Sequence, residues 1–292
     1  MLRQFLIENQ VNRNRIAMTS VVLCVVGLIF MLFVKPIFGI EFTGGTVYTL
    51  DLDVGAVAKI VHSDPEFKIS KDGEYTIVKV ADRDNHLSDE EGSKFKKEEL
   101  SLKNNSVSVQ KIGASLGSEL IHDSLVGLGV SFLFIAVYLA MRYNLVMATS
   151  ALLALFHDIL LTCVVLTLCK VEISSIVVGA ILTVVGYSIN DSVVTLDKLR
   201  EMVRKHHDNP IQDAIVVTLT RNIRTCVATM LVILAMYLFG GEMVHDFAFT
   251  MLVGVFFGMI SSITVMPLIL QHTVRTLGSL ETSEIPDTDG NI

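Results

Sequence analysis

The sequence predicts an α-helical membrane protein with six transmembrane helices and a small α+β domain between the first two. Three observations support this prediction. Apolar residues make up 51% of the 292-residue chain and charged residues only 18%, a balance that excludes a single water-soluble globule. The apolar residues are concentrated in six runs of 17 to 25 residues. One polar segment, residues 36–123, holds 16 acidic and 10 basic side chains.

Each of the six runs is long enough to cross a membrane as a helix. About 20 residues, rising about 1.5 Å each, span the hydrocarbon layer of ~30 Å. Four of the six runs contain no Asp, Glu, Lys or Arg. The predicted transmembrane segments are Ile16–Val34, Ser124–Met141, Leu145–Cys169, Ile173–Leu196, Thr225–Gly241 and Phe247–Gln271.

The basic residues in the short connections predict the orientation. Three arginines precede the first run and six basic residues separate the fourth from the fifth, whereas the alternate links hold only Lys170. By the positive-inside rule both termini are cytoplasmic and residues 36–123 lie outside. The first run is too long for a signal peptide and lacks a cleavage site, so we expect an uncleaved anchor. The expected order is a cytoplasmic N-terminus (1–15), a helix (16–34), the outer domain (36–123), five helices (124–271) and a disordered acidic tail (272–292).

The outer segment alternates between strand and helix signals. Alternating apolar residues predict strands, Gly44-Gly45 permits a bulge or a close backbone approach, and Lys71-Asp72-Gly73 predicts a hairpin turn. The resulting order is β-α-β-β-α-β, which favours a ferredoxin-like sandwich. The predicted strands are Phe42–Leu52, Phe67–Ser70, Glu74–Val80 and Ser106–Lys111, and the predicted helices are Val54–Ser63 and Asp89–Leu100.

Asp191 is the leading candidate for a functional residue, since an ionisable group within lipid is costly. It lies on the fourth run with Tyr187 and Thr195 at a spacing of four residues, and Asn190 is beside it. One face of that helix is therefore polar. Burial favours the neutral acid and a nearby arginine favours the anion, so the carboxyl can exchange a proton when its neighbour moves. The alternative is a carboxyl that only fixes helix packing.

His157 and Asp158 lie in the middle of the third run. Adjacent helical residues point about 100° apart, so the pair cannot face one neighbour and makes a poor metal site. A proton relay and a structural hydrogen-bond node are both open interpretations.

A basic partner for Asp191 is expected just before the fifth run. Arg221 and Arg224 precede that run by about one turn, which places either guanidinium at the depth of Asp191 if the helices pack together. Anchoring at the lipid headgroups is the alternative. Small residues on the sixth run (Gly254 and Gly258) and on the fourth (Gly179, Thr183 and Gly186) predict close helix packing.

Several functions are disfavoured by what the sequence lacks. No basic face favours nucleic acid. The four cysteines all lie within spanning runs without a paired spacing, which is typical of apolar filler. We find no phosphate loop, zinc motif or nucleophile elbow. An enzyme is therefore not expected, nor is any cofactor beyond a driving ion, H⁺ or Na⁺.

Five stretches of the chain form long motifs in a fixed order. They are Gly39-Ile40-Glu41-Phe42-Thr43-Gly44-Gly45, Gly113-Ala114-Ser115-Leu116-Gly117-Ser118-Glu119-Leu120, His157-Asp158, Val185-Gly186-Tyr187-Ser188-Ile189-Asn190-Asp191-Ser192-Val193-Val194 and Phe239-Gly240-Gly241-Glu242. Over about residues 1–275 the chain resembles the SecF branch of the SecD/SecF protein-export membrane proteins, relatives of the resistance-nodulation-division transporters. The chain departs from the family pattern at Glu41, where Asp is usual, at Ala114, where Pro is usual, and at Asn222, where Thr is usual.

The resemblance implies half of a twelve-helix bundle in the bacterial inner membrane, completed by SecD. It implies use of the proton motive force to promote late steps of polypeptide export. The implied partners are SecD, the SecYEG translocon, YajC, a YidC-type insertase and the unfolded exported chain. Asp191 and Arg221 match residues implicated in proton coupling, with Arg224 as a competitor. The alternatives are a small-molecule efflux subunit, which usually carries much larger outer domains, and a passive scaffold or insertion chaperone.

Overall fold

The protein is built from nine helices and four strands within the part of the chain that the structure describes. A computed structural model describes residues 10–60, 67–72, 75–81, 102, 103 and 105–277. In chain order the elements are α1 (Gln10–Phe33), α2 (Ile40–Thr43), β1 (Gly45–Leu50), α3 (Val54–Ile60), β2 (Phe67–Asp72), β3 (Tyr75–Ala81), β4 (Ser106–Ile112), α4 (Ala114–Arg142), α5 (Leu145–Leu168), α6 (Ser175–Arg204), α7 (Pro210–Phe239), α8 (Glu242–Ile263) and α9 (Val265–Leu277).

Six spans are long and apolar enough to cross a membrane, which confirms the predicted number. They are α1, α4, α5, α6, α7 and the pair α8 and α9, which together form the sixth span. The helix α6 packs against α8, α7 and α5. By contrast, only 6% of the most apolar window of α4 is buried within the chain. The helices α5, α6 and α8 therefore form the interior of the bundle, and α4 lies at its edge.

The small domain between α1 and α4 holds a four-stranded sheet in the order β2-β3-β1-β4. All neighbouring strands are antiparallel, as the predicted ferredoxin-like order requires. The helix α3 connects β1 to β2 as predicted, while the predicted helix Asp89–Leu100 lies outside the described residues. The domain core consists of Tyr48, Leu50, Val57, Val78, Val80 and Leu102.

Two local predictions in this domain are wrong. The first strand does not begin at Phe42, because residues 40–43 form the short helix α2. Gly44 has a φ of 82°, a conformation that glycine adopts without steric cost, and it turns the chain from α2 into β1. In the hairpin, Asp72 pairs with Tyr75, so Asp72 is a strand residue and not part of the turn.

The helices on the predicted cytoplasmic side extend well beyond the apolar runs. The helix α6 continues to Arg204, and α7 already begins at Pro210. Proline is favoured at the first helical position because it has no N–H that needs a partner there. Arg221 and Arg224 therefore lie inside α7 and do not precede it. The apolar run marked the lipid-buried part of each helix, whereas the helix itself continues through polar residues.

The sixth span is interrupted at Thr264, between α8 and α9. Pro267 explains the interruption, since it cannot donate a hydrogen bond to the carbonyl of Ile263 and its ring clashes with that carbonyl in a continuous helix. The helix α9 then continues to Leu277. Residues 272–277, which the sequence assigned to the tail, are thus helical, and residues 278–292 lie outside the described chain.

Candidate functional site: two buried carboxyl groups

Asp158 on α5 is fully buried and collects hydrogen bonds from two other helices. Its exposed fraction is 0%. Its Oδ2 accepts hydrogen bonds from the Ser188 hydroxyl of α6 and from the Ser261 hydroxyl of α8, each at 2.7 Å. Hydroxyl donors of this kind offset the cost of burying a carboxylate. Asp158 thereby joins the three interior helices at one point.

His157 extends this network to α1. Its Nδ1 lies 3.1 Å from Asp158 Oδ1, and its Nε2 lies 3.1 Å from the hydroxyl of Ser20. The two residues were expected to face different neighbours, and they do so through their other atoms, but they also contact each other directly. Imidazole, carboxyl and hydroxyl groups can all pass protons. The chain Ser20–His157–Asp158–Ser188 can therefore serve as a relay or as a fixed node.

Glycines on α8 permit this close approach. A Cβ at Gly258 would lie 3.2 Å from Ser188 Cβ, and a Cβ at Gly254 would lie 2.4 Å from a Val184 methyl group. The predicted small-residue contact of the sixth span is confirmed. Gly186 behaves differently, because a Cβ there would meet no atom of the described chain within 4 Å, and the same holds for Gly179. The predicted small face of the fourth span therefore does not pack within this chain.

Asp191 is the second buried carboxyl group, one turn after Ser188 on α6. Its exposed fraction is 2%. Its Oδ2 has no hydrogen-bond partner among the described residues. Thr195 donates to the backbone carbonyl of Asp191 at 3.1 Å and leaves the carboxyl itself unpaired. An unpaired buried acid is costly to ionise, so this group is poised to exchange a proton.

Arg221 is the cation that interacts electrostatically with Asp191 within the described chain. Asp191 lies 13 residues before the end of α6, and Arg221 and Arg224 lie 11 and 14 residues after the start of α7. At about 1.5 Å per residue these offsets are about 20, 16 and 21 Å from the connecting loop, so depth does not discriminate between the arginines. The electrostatic interaction does, and it favours Arg221. Both arginine side chains are exposed in this chain.

Asn222 is a contact that the sequence flagged only as a departure from a motif. Its exposed fraction is 1%, and its side-chain N–H lies 3.4 Å from the hydroxyl of Thr195. Thr218 lies 3.5 Å from the same hydroxyl. Tyr187 makes a third link between the two helices, donating to Thr229 at 3.0 Å. Asn190 points away from these contacts and is exposed.

The outer glycine-rich motif lies far from both carboxyl groups. The N–H of Gly39 donates to Ile173 at 2.9 Å, and Glu41 contacts Ser175 at the start of α6. Gly45 begins β1 and pairs with Ala81 and Ile112. Gly44 supplies the turn described above. These residues are thus at the opposite end of α6 from Asp191 and do not join its site.

The described residues offer no obvious metal centre. Nowhere in the described ranges do three or more His, Cys, Asp or Glu side chains cluster in a way that could hold a metal ion. All four cysteines are free. The chemistry available at the two carboxyl groups is therefore proton binding, hydrogen bonding and charge pairing.

Comparison with known proteins gives consistent matches. A family model described as the C-terminal part of the protein export membrane proteins SecD/SecF matches residues 93–276. The protein translocase subunit SecF of Rickettsia prowazekii is 32% identical over 86% of this chain and 86% of its own length. The SecF subunit of Escherichia coli O157:H7 is 32% identical over 78% of this chain and 75% of its own length.

A solved structure shares the fold. The crystal structure of SecDF from Thermus thermophilus, described as a translocon-associated membrane protein, superposes with a TM-score of 0.73 at 28% identity and covers 89% of this chain. A super-membrane-facing form of SecDF superposes with a TM-score of 0.65. This chain spans 37% of the length of the first SecDF chain.

Proposed function

Since this chain belongs to the SecD/SecF family of protein-export membrane proteins, with SecF translocase subunits as its relatives, we propose that it is a proton-driven subunit of the protein translocase. It uses the proton motive force to promote late steps of polypeptide export. The observation that carries the proposal is Asp191, a buried carboxyl group with an unpaired oxygen and Arg221 as its charged neighbour.

The proposed cycle alternates between two arrangements of α6 and α7. With Asp191 ionised, attraction to Arg221 draws the two helices together, and protonation removes that attraction. Moving one charge through about 100 mV supplies about 2.3 kcal/mol. At about 1.4 kcal/mol per factor of ten, this biases a two-state equilibrium by about 40-fold. One proton per cycle is thus enough to drive the change, and no nucleotide is needed.

The network around Asp158 fits a proton path that connects to this switch. Ser188 contacts Asp158 and lies one helical turn from Asp191. A proton reaching Asp158 through His157 is therefore on the same helix face as the switch. We assign Asp158 and His157 to the path, and Ser188 to the step between the two carboxyl groups.

The proposed setting is the bacterial inner membrane. Both termini are cytoplasmic and the small domain is periplasmic, as the positive-inside rule predicts. SecD supplies the other six helices, which agrees with this chain covering 37% of the solved SecDF chain. The assembly acts with SecYEG, YajC and a YidC-type insertase on the emerging unfolded chain. The relatives are translocase subunits, which favours polypeptide export over small-molecule efflux.

The test compares Asp191→Asn with the unaltered protein in vesicles that hold the complete translocase. We expect Asp191→Asn to abolish the export that depends on the proton motive force, and to abolish proton flux, while export driven by ATP alone continues. Replacing Na⁺ by K⁺ at constant potential should change neither rate. Unchanged export and flux in Asp191→Asn would leave a passive scaffold as the better description, and a dependence on Na⁺ would replace H⁺ as the driving ion.

A further inference from the structure

The small domain is attached to the outer end of α6 through the side chain of Glu41. Its Oε2 accepts the backbone N–H of Ser175 at 2.9 Å and also the hydroxyl of Ser175. Ser175 is the first residue of α6, and Ser174 already accepts the N–H of Val177. The first N–H groups of a helix have no partner within the helix. Glu41 supplies one from the small domain, with a negative charge where the helix dipole favours it.

Two further contacts hold the loop before α6 against the same domain. Gly39 donates to Ile173 at 2.9 Å, and Ile173 donates back to Ile37 at 2.8 Å. Glu172 pairs with Lys68 of β2 and lies 3.8 Å from Lys79 of β3. We call residues 37–42 together with residues 172–175 the outer joint. The joint combines a backbone ladder, ion pairs and the Glu41 cap.

The start of α4 packs directly on this joint. A Cβ at Gly117 would lie 2.3 Å from the carbonyl oxygen of Phe42, so only glycine permits the observed distance between α4 and the α2 turn. The family motifs around Glu41 and around Gly117 therefore meet in one place. The α2 turn contacts both α4 and α6, and a displacement of either helix must move it.

The helix α6 connects the outer joint to the buried carboxyl group. Asp191 follows Ser175 by 16 residues on a single helix without a break, which corresponds to about 24 Å. A shift of α6 caused by a change at Asp191 is thus transmitted to Ser175. From there it reaches the small domain through the contacts that Glu41 and its neighbours make.

We propose that Glu41 is a positioning residue that couples the small domain to α6, so that a change at Asp191 displaces the domain through the outer joint. The inference rests on the proposed function and adds a mechanical route to it. Among the contacts of the joint, the Glu41 cap is the one formed by a domain side chain with the first turn of α6 itself. Removing the cap leaves the ladder and the Glu172 ion pairs in place, so the domain stays attached but follows α6 less closely.

The experiment measures backbone amide exchange in the full-length chain, in its complex with the partner subunit in lipid nanodiscs. Four versions are compared: the unaltered chain, Asp191→Asn, Glu41→Gln and the double variant. We expect Asp191→Asn to change exchange in residues 39–44 by about threefold or more, and the same substitution in the Glu41→Gln background to change it by less than about 1.5-fold. Asp53→Asn is the matched control, because Asp53 also accepts an N–H near a helix start, at Gly55, but within the small domain.

The outcomes separate this inference from the proposed function. Export that stays normal in Asp191→Asn overturns the proposed function. If Asp191→Asn stops export while exchange at the outer joint is the same in both Glu41 backgrounds, the coupling role of Glu41 is overturned and the proposed function stands. Should Glu41→Gln fail to assemble, Ser175→Ala provides the second variant. It removes the hydroxyl contact and keeps the backbone one, and we expect it to reduce the Asp191→Asn response by about half.

Discussion

Ser261 and Ser262 offer a matched test of the Asp158 network. Both are about 1% exposed and adjacent on α8. Ser261 donates to Asp158 Oδ2 at 2.7 Å, whereas Ser262 donates at 2.9 Å to Met259 of its own helix. Replacing either residue by alanine gives the same small gain in helix propensity. The difference between the two variants therefore isolates the hydrogen bond to the buried carboxyl group.

The expected magnitude follows from the burial of Asp158. A hydrogen bond to a charged group contributes about 1.5 to 3 kcal/mol, while hydrogen bonds between membrane helices average about 0.6 and reach about 1.7 kcal/mol. Asp158 is 0% exposed, so water cannot replace the lost donor. We expect the Ser261→Ala variant to lose about 1.5 kcal/mol of unfolding free energy, and Ser262→Ala about 0.5 kcal/mol or less.

Equilibrium unfolding of the purified chain in mixed micelles, followed by circular dichroism, measures both free energies. Ser261→Ala is repeated in an Asp158→Asn background, where the hydroxyl loses its charged acceptor. The two single costs should then not add, and the coupling free energy should be about 1 kcal/mol. Equal losses in Ser261→Ala and Ser262→Ala, to within about 0.3 kcal/mol, would show that Asp158 does not depend on the α8 hydroxyl.

Two further predictions concern helix packing and the choice of arginine. Gly254→Ala should destabilise the chain by about 1 to 3 kcal/mol through its clash with Val184, whereas Gly186→Ala, in open space, should be neutral or stabilise it by about 0.5 kcal/mol in the same unfolding assay. Comparable effects of the two substitutions would contradict the assigned interface between α6 and α8. Arg221→Gln should lower the export driven by the proton motive force about tenfold or more, and Arg224→Gln by less than about twofold, in the vesicle translocation assay. The reverse order would assign the partnership to Arg224.

Much of the architecture follows from local patterns in the sequence. The six spans depend on hydrophobic length, which lipid imposes on each helix separately. The sheet order of the small domain follows from the alternation of short strand and helix signals. The errors are also local. A glycine at positive φ after Phe42 produced a helical turn instead of a strand, and the ends of α6 and α7 lay in polar sequence where hydropathy gives no signal.

The candidate residues themselves were identifiable because an ionisable side chain in an apolar run is rare and costly. Their partners were not. Ser20 carried no signal, since a hydroxyl on a helix can bond to its own backbone as readily as to another helix. Ser261 was noticed only as a small residue. Asp158 shows the limit clearly, because its partners on α6 and α8 are 30 and 103 residues away in the chain.

The amino-acid sequence by itself determined which segments enter the membrane and which acids are buried there, because transfer into lipid depends on each segment's own composition. Only the tertiary structure decided what those acids contact. It placed Ser188 and Ser261 on Asp158, left Asp191 with an unpaired oxygen, and brought Glu41 to the start of α6. Contacts between helices depend on how each helix is rotated and how closely it packs, and those are properties of the whole bundle rather than of any one segment.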